Sequence, residues 1–262
     1  MQIERGVMGS LPWAAVGSGS PVVVLAGLSP STGVQGDGFV RSVLAPVRQL
    51  ENRRRLLALN RRPGLPGDLT MARLAQEHAE ALRAEFDQPA DVVGVSTGGS
   101  IAQQLAAEHP DTVRRLVLIS SACRLGPTGR DGQAAMAAEL RAGRDRQAAA
   151  VAAAALVPWA GPVARGAGWL AGRRLLATPA ARADLLATLE AEDEFDLARC
   201  AGQITATTLI VAGGRDRFYS PALFAETAAL IPRSRLSVFA RRGHISVARD
   251  RRALAQIAGF LG

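Results

Sequence analysis

The sequence Asp91-Val-Val-Gly-Val-Ser-Thr-Gly-Gly-Ser100 decides the fold of this chain. An apolar run typical of a buried strand leads into a G-x-S-x-G pentapeptide, and a run with helical spacing follows it. This arrangement predicts a sharp strand-to-helix turn, on which the hydroxyl of Ser96 stands clear of the sheet edge. Glycines at 94, 98 and 99 leave room for such a turn. Taken alone, the pentapeptide is only moderately specific, since a tight glycine turn with an incidental serine has the same letters.

Two further polar elements follow this turn in the chain. Gly213-Gly-Arg-Asp216 comes directly after the apolar run Thr207–Ala212, and Arg242-Gly-His244 follows the next strand-like run. The carboxyl ends of parallel strands meet at one edge of a sheet, so we expect both loops to lie beside Ser96. Catalytic triads of serine, histidine and an acid occur in three well-known chain orders. The order serine, acid, histidine matches one of them and differs from the other two.

The base that a serine nucleophile needs must be one of three histidines. His78 lies within a regular helical run, and His109 ends a helix just before Pro110, so packing and capping account for both. His244 alone lies in a loop after a predicted strand, which makes it the predicted base. Asp216 occupies the equivalent loop one strand earlier, and it is the predicted acid that orients the histidine.

The negative charge that develops on a carbonyl oxygen during serine attack needs two hydrogen-bond donors. The backbone N–H of Thr97, immediately after the predicted nucleophile, is expected to be one of them. The second is expected from the turn Gly27-Leu28-Ser29-Pro30, which follows the apolar run Val22–Ala26. Leu28 N–H is the candidate, although an ordinary strand-ending turn would explain the same residues.

Strand-like and helix-like runs alternate along most of the chain, which predicts an α/β fold: a mainly parallel sheet with helices on both faces. The segment Pro12–Gly19 is interpreted as a turn. The alternation stops over residues 123–199, which are rich in Ala, Arg and Leu, have helical spacing and offer no strand. We interpret them as a helical cap inserted after the sixth strand, between two parts of the core, 1–122 and 200–262. A separate helical domain is the alternative, but both ends of the segment run directly into core strands.

Composition narrows the class of protein. The net charge is +8, and all 31 basic residues are arginine. They are scattered in short pairs and aromatics make up only 4% of the chain, so no nucleic-acid partner is predicted. Cys123 and Cys200 lie in no metal-binding or redox spacing, and buried free thiols are the simpler interpretation. No metal and no organic cofactor are expected.

The sequence shows neither an export signal nor a membrane span. Its N-terminus lacks a charged-then-apolar pattern. Val22–Leu28 is too short to span a bilayer, and the Ala-rich stretch 148–157 is followed by Pro158 and Pro162. We therefore expect a cytoplasmic protein without membrane contact.

These motifs resemble those of the α/β-hydrolase superfamily over nearly the whole chain. The resemblance is closest to capped serine hydrolases of the esterase, lactonase and perhydrolase kind, whose pattern is His-Gly after the third strand, G-x-S-x-G-G, G-x-x-D and G-H. The matching pieces are Ala26-Gly27, Gly94–Gly99, Gly213–Asp216 and Gly243-His244. The resemblance implies the α/β-hydrolase fold, a catalytic triad and two oxyanion donors; these are Ser96, Asp216 and His244, with Leu28 and Thr97. Ala26 departs from the pattern, because the family has histidine there.

We expect hydrolysis of a carboxylic ester, lactone or thioester through an acyl-serine intermediate, with a small-molecule acyl substrate as the partner. An acyltransferase, cyclase or cofactor-free perhydrolase with the same triad is a second interpretation, and a ligand-binding, receptor-like protein with little turnover is a third. In the cap, Leu156, Trp159 and Trp169 are predicted to line an apolar pocket, with simple cap packing as the alternative for each. Whether the chain forms a homo-oligomer stays open.

Overall fold

The computed structural model describes residues 2–156, 160–175, 178–200 and 204–262, with side chains for all of these except 173–175. The described strands are β1 (Glu4–Met8), β2 (Leu11–Val16), β3 (Pro21–Leu25), β4 (Arg55–Leu59), β5 (Ala90–Val95), β6 (Val113–Ile119), β7 (Thr207–Gly213) and β8 (Ser234–Phe239). They form one sheet in the order β1-β2-β4-β3-β5-β6-β7-β8. The pairs β1–β2 and β2–β4 are antiparallel, and every other neighbouring pair is parallel. The predicted mainly parallel sheet is confirmed.

The described helices are α1 (Asp37–Leu44), α2 (Met71–Glu85), α3 (Thr97–Glu108), α4 (Pro127–Arg141), α5 (Asp145–Leu156), α6 (Gly161–Leu175), α7 (Pro179–Asp193), α8 (Pro221–Leu230) and α9 (Arg251–Leu261). Successive side chains of a strand point to opposite faces of the sheet. In β3, Val23 and Leu25 belong to a core shared with α2, α3 and α8, whereas Val22 and Val24 belong to a second core shared with α1 and α9. Helices therefore cover both faces, as predicted. None of the described helices is both long enough and apolar enough to cross a membrane.

The N-terminal hairpin corrects one expectation from the sequence. Pro12–Gly19 is not a turn over most of its length, because Leu11–Val16 forms β2. Pro12 lies outside the ladder with β4, which begins at Trp13, so its missing N–H does not weaken that pairing. The chain turns only after Val16, where Gly17 and Gly19 have φ values of 77° and 104°.

The segment between β6 and β7 contains α4 to α7 and, in its described part, no strand. The helix α7 is the most deeply packed of the four, with Leu185 and Leu189 buried against α4. In α5 the buried residues are Ala148 and Ala149. The close approach of α5 and α6 depends on glycine, since a Cβ on Gly168 would lie 2.4 Å from the carbonyl oxygen of Ala149.

The amino end of β5 carries a buried ion cluster. The fully buried carboxylate of Asp91 accepts hydrogen bonds from Arg54 (2.5 Å), Arg114 (2.6 Å) and Arg115 (2.8 Å). Arg54 and Arg115 also donate to the carbonyl oxygen of Leu261, at the end of α9. Burial acts to raise the pKa of Asp91, but the three arginines outweigh it and hold that pKa at about 2. The cluster thus joins β5, β6 and α9 at the edge where the parallel strands begin.

Candidate active site

Ser96 lies on the turn between β5 and α3. Its backbone has φ 51° and ψ −122°, a conformation that residues other than glycine rarely adopt. Two glycines, which have no side chain, provide the space for the turn. A Cβ on Gly94 would lie 2.5 Å from Gly99 Cα, and one on Gly98 would lie 2.3 Å from the carbonyl oxygen of Leu25. A larger residue at either position would push α3 away from the sheet.

The fold brings Ser96, His244 and Asp216 together from distant parts of the chain. His244 Nε2 lies 3.0 Å from Ser96 Oγ, and His244 Nδ1 lies 2.8 Å from Asp216 Oδ2. With the ring proton on Nδ1, the imidazole donates to the carboxylate and accepts the hydroxyl proton of Ser96. This arrangement can transfer the serine proton to His244, and Asp216 then stabilises the imidazolium that results.

The loop after β7 holds Asp216 in a fixed orientation. Its Oδ1 accepts hydrogen bonds from the backbone N–H groups of Phe218 (2.9 Å) and Tyr219 (3.2 Å), which leaves Oδ2 facing His244. The rings of Phe218 and Tyr219 pack on the imidazole, with centroid distances of 4.7 Å and 5.9 Å. The Asp216 side chain is fully buried and that of His244 is 10% exposed. Little water therefore competes for the hydrogen bond between them.

Ser120, directly after β6, fixes the backbone of His244. Its hydroxyl donates to the His244 carbonyl oxygen at 2.7 Å, and its N–H donates to that of Val211 at 3.0 Å. Its φ of 50° is positive, and such backbone strain often occurs at functional sites. Sequence reasoning assigned no role to Ser120, because nothing in its neighbours predicts a positive φ.

The segment between β3 and α1 runs beside Ser96. A Cβ on Gly27 would lie 3.4 Å from Ser96 Cβ, so the next residue, Leu28, is close to the turn at Ser96. Thr97 is the first residue of α3, where backbone N–H groups have no partner within the helix. Both predicted oxyanion donors thus belong to segments that adjoin Ser96.

Asn60 and Arg61, directly after β4, anchor this segment. The Asn60 amide donates to the carbonyl oxygens of Ser31 (3.0 Å) and Gly33 (2.9 Å), and the Arg61 guanidinium donates to that of Ser29 (2.9 Å). Burial lowers the pKa of Arg61 to about 10, so the group remains charged at neutral pH. The segment between β3 and α1 therefore has a fixed course, although Ala26 stands where the family pattern has histidine.

One face of α7 contacts the same segments through three buried polar side chains that are four residues apart. Asp184 accepts hydrogen bonds from the backbone N–H groups of residues 64 and 65. Thr188 accepts one from Arg61 at 2.5 Å. Glu192, the third, is 1% exposed. Sequence reasoning assigned no role to these residues: the spacing of Asp184, Thr188 and Glu192 was visible, but polar residues four apart also mark the solvent face of a helix.

Glu192 connects α3, the helix that follows Ser96, with the loop of the predicted acid. Four side chains donate hydrogen bonds to its carboxylate: Thr97 (2.7 Å), Gln133 (2.9 Å), Ser100 (3.1 Å) and Tyr219 (3.3 Å). Burial, followed by the charges of Glu192 and Asp216, raises the pKa of Tyr219, so its hydroxyl remains a donor. One carboxylate thus holds both the residue after Ser96 and a ring that packs on His244.

A cavity of about 690 Å³ opens beside His244, between the loops after β7 and β8 and the end of α5. Leu156, which the sequence placed in a substrate pocket, lines this cavity and is 39% exposed. Trp169 is not part of the lining, and the guanidinium of Arg146 lies 4.2 Å above its ring. Trp159, the third predicted pocket residue, lies outside the described residues.

The cysteines and acids form no further centre in the part of the chain that the structure describes. No group of three or more His, Cys, Asp or Glu side chains is arranged there to hold a metal ion. Cys123 is a buried free thiol and Cys200 a partly buried one. Burial raises the pKa of the Cys123 thiol, which disfavours the reactive thiolate.

The chain is similar to a known protein family and to several of its members. The sequence pattern of the alpha/beta hydrolase family matches residues 22–257. The putative carbamate hydrolase RutD of Klebsiella pneumoniae strain 342 is 31% identical over 249 residues, which cover 89% of this chain and 86% of the relative. A pimeloyl-[acyl-carrier protein] methyl ester esterase of Neisseria meningitidis serogroup C is 53% identical over 47 residues, which are 18% of either chain.

A solved structure supports the same assignment at the level of the fold. The enol-lactonase from Burkholderia xenovorans LB400 superposes with a TM-score of 0.77 at 20% identity, over 98% of this chain and 99% of that chain. The α/β-hydrolase fold implied by the sequence motifs is thereby confirmed. With the family pattern matched over most of its length, the chain belongs to the alpha/beta hydrolase family.

Proposed function

We propose that the protein is a serine hydrolase that cleaves a carboxylic ester, lactone or thioester of a small molecule through an acyl-Ser96 intermediate. The observation that carries this proposal is the continuous set of hydrogen bonds from Ser96 through His244 to Asp216, beside an open cavity. The names of the carbamate hydrolase, the methyl ester esterase and the enol-lactonase support a carboxyl-type carbonyl as the target.

In the proposed reaction, His244 Nε2 takes the hydroxyl proton as Ser96 Oγ bonds to the carbonyl carbon. The carbonyl π electrons move to oxygen, and the N–H groups of Leu28 and Thr97 stabilise the oxyanion. Collapse of this intermediate breaks the bond to the leaving oxygen or sulfur, which receives the proton from His244. Water then attacks the acyl-serine with His244 as base, and the second collapse releases the acid and returns the proton to Ser96.

Covalent labelling tests the nucleophile directly. A fluorophosphonate should form one adduct per chain on Ser96, because its phosphoryl oxygen occupies the same position as the oxyanion. The Ser96→Ala variant should not react, whereas Ser42→Ala, which removes an exposed serine of α1, should react as the wild type does. Labelling should slow in acid, since a protonated imidazole cannot accept the serine proton. A folded wild type that forms no adduct and hydrolyses no activated ester would favour the receptor-like alternative.

Acceptor competition separates a hydrolase from an acyltransferase or perhydrolase. With p-nitrophenyl acetate as acyl donor, we expect acetate to remain the main product when hydrogen peroxide, hydroxylamine or an alcohol is added at millimolar concentration. Predominant transfer to one of these acceptors would instead assign the enzyme to the acyl-transfer class, with the same acyl-Ser96 intermediate.

A further inference from the structure

The cavity beside His244 is unusually rich in arginine. Of the eleven residues that line it, five are arginines and none is Asp or Glu. They come from the loop after β7, the loop after β8 and the short turn before α9; they are Arg215, Arg217, Arg241, Arg242 and Arg249. All five are exposed.

Most of these guanidinium groups have no carboxylate partner among the described residues. Arg242 pairs with Asp250 at 2.6 Å. No ion pair within 4 Å joins a described acid to any of the other four, which we call the arginine wall: Arg215, Arg217, Arg241 and Arg249. Exposed arginines elsewhere do find partners, as Arg83 does with Asp111 and Arg182 with Asp145.

The acids nearest to the wall are already engaged. Asp216, which stands between Arg215 and Arg217 in the sequence, is fully buried and bonded to His244. Asp250 accepts hydrogen bonds from Arg242 and from the first N–H groups of α9. Neighbouring positive charges without a counterion repel one another, so an anion that enters the cavity relieves this repulsion.

The positive surface continues beyond the cavity. A second cavity of about 990 Å³, along β8 and α9, shares Arg241, Arg242 and Arg249 with the first and adds Arg251 and Arg252, with Asp250 as its one acidic lining residue. A surface with a large excess of positive charge raises the local concentration of anionic ligands. The first cavity is also lined by Ala155 and Leu156 of α5, which offer apolar contact to a carbon chain.

Guanidinium groups bind carboxylates and phosphates through paired N–H donors. Building on the proposed hydrolase function, we infer that the substrate's acyl part carries an anionic group, a carboxylate or a phosphate, which the arginine wall binds while the scissile carbonyl lies at Ser96. Leu156 then contacts the carbon chain between the two ends. The wall acts as a specificity site, separate from the groups that perform the chemistry.

A matched pair of esters tests the inference. p-Nitrophenyl hydrogen adipate and p-nitrophenyl hexanoate share leaving group and acyl length, and they differ in a terminal carboxylate. At low salt we expect kcat/KM for the adipate to exceed that for the hexanoate by about 10-fold, and the ratio should fall as salt is added. The ester of 6-phosphonohexanoic acid distinguishes a phosphate-type anion from a carboxylate as the preferred group.

Charge-matched double variants separate the wall from the overall charge of the protein. Arg217→Gln/Arg241→Gln should bring the adipate-to-hexanoate ratio close to one. Arg48→Gln/Arg233→Gln removes the same charge at exposed positions outside both cavities and should leave the ratio unchanged. A wild-type ratio of one or less, or an equal loss in the two double variants, would overturn the inference.

Binding without turnover keeps this test independent of the proposed function. In the Ser96→Ala background, monomethyl adipate should bind more tightly than methyl hexanoate, and Arg217→Gln/Arg241→Gln should abolish the difference. If neither p-nitrophenyl ester is hydrolysed by the wild type, the proposed function fails, and calorimetry on Ser96→Ala still decides the anion site. Equal affinity for the two methyl esters would overturn the inference whatever the turnover.

Discussion

The two ends of β5 carry polar groups that differ in whether another molecule can reach them. At the amino end, the carboxylate of Asp91 is fully buried and bonded to three arginines. At the carboxyl end, the hydroxyl of Ser96 is bonded to His244 and lies on a turn beside a cavity that His244 lines. The first group has no site left for another molecule, whereas the second lies where one can reach it.

This difference follows from the order of the parallel strands. The carboxyl ends of β3, β5, β7 and β8 lead into loops that converge on one edge, which is where α/β folds place their ligands. The opposite edge is closed by the C-terminus of α9, whose carbonyl groups Arg54 and Arg115 hold. We therefore expect substitutions at the amino end to change the free energy of unfolding, and substitutions at the carboxyl end to change turnover.

The largest effect is expected at the carboxyl end. Ser96→Ala should lower turnover of p-nitrophenyl acetate by at least about 1,000-fold, because the acyl intermediate cannot form. The melting temperature should change little, since alanine loses only one partly exposed hydrogen bond. Unchanged turnover in the folded variant would show that Ser96 is not the nucleophile. It would also contradict the expectation that substitutions at the carboxyl end of β5 change turnover.

Asp216→Asn should lower turnover by at least about 100-fold, because the amide no longer stabilises the imidazolium and favours the wrong tautomer of His244. Adding Ser96→Ala to either Asp216→Asn or His244→Ala should cost little more, since the three groups act as a unit. Losses that multiply across the double variants would show that they do not share one mechanism.

At the amino end, Asp91→Asn should destabilise the fold and leave neutral-pH kcat unchanged. The pKa of Asp91 is about 2 when folded, below its ordinary value of 3.8, so its ionised form stabilises the fold by about 2 kcal/mol. That contribution is fully present above about pH 4 and is lost as the pH falls towards 2. Urea unfolding at pH 7 and pH 3 measures it, and the gap between wild type and variant should be smaller at pH 3.

The sequence was sufficient to predict which side chains lie together at the carboxyl ends of the strands. Ser96, Asp216 and His244 each follow an apolar run, and parallel strands must bring such positions to one edge. The sequence was insufficient where a strand is defined by its partners in the sheet. Pro12–Gly19, with a proline at its start and glycines at 17 and 19, was interpreted as a turn, although Leu11–Val16 forms β2. In the same way, no local pattern predicts that Arg54, just before β4, and Arg114 and Arg115 of β6 converge on Asp91.

Glu192 shares features with both ends of β5. Its buried carboxylate accepts several hydrogen bonds, as that of Asp91 does, but it lies at the carboxyl end, beside Thr97. Glu192→Gln should lower kcat by about 10-fold with little change in KM, since Thr97 and Tyr219 lose a charged acceptor and the site loses its alignment. Glu190→Gln, on the exposed face of the same helix, removes the ion pair with Arg141 and should change neither quantity. If Glu192→Gln lowers stability without changing kcat, Glu192 serves only to stabilise the fold, as we expect for Asp91.

The smallest effect is expected at the cavity beside His244, which Leu156 lines. Leu156→Trp adds volume there and should shift kcat/KM between hexanoate and acetate esters by a few-fold, because a methylene in an apolar pocket contributes only about 1–3 kcal/mol to discrimination. Leu170→Trp makes the same change on α6, at a side chain that is 73% exposed and does not line the cavity. It should leave the preference unaltered. Equal shifts in both variants would mean that bulk anywhere on these helices disturbs the site, and an absence of shift in Leu156→Trp would mean that the acyl chain takes another path from Ser96.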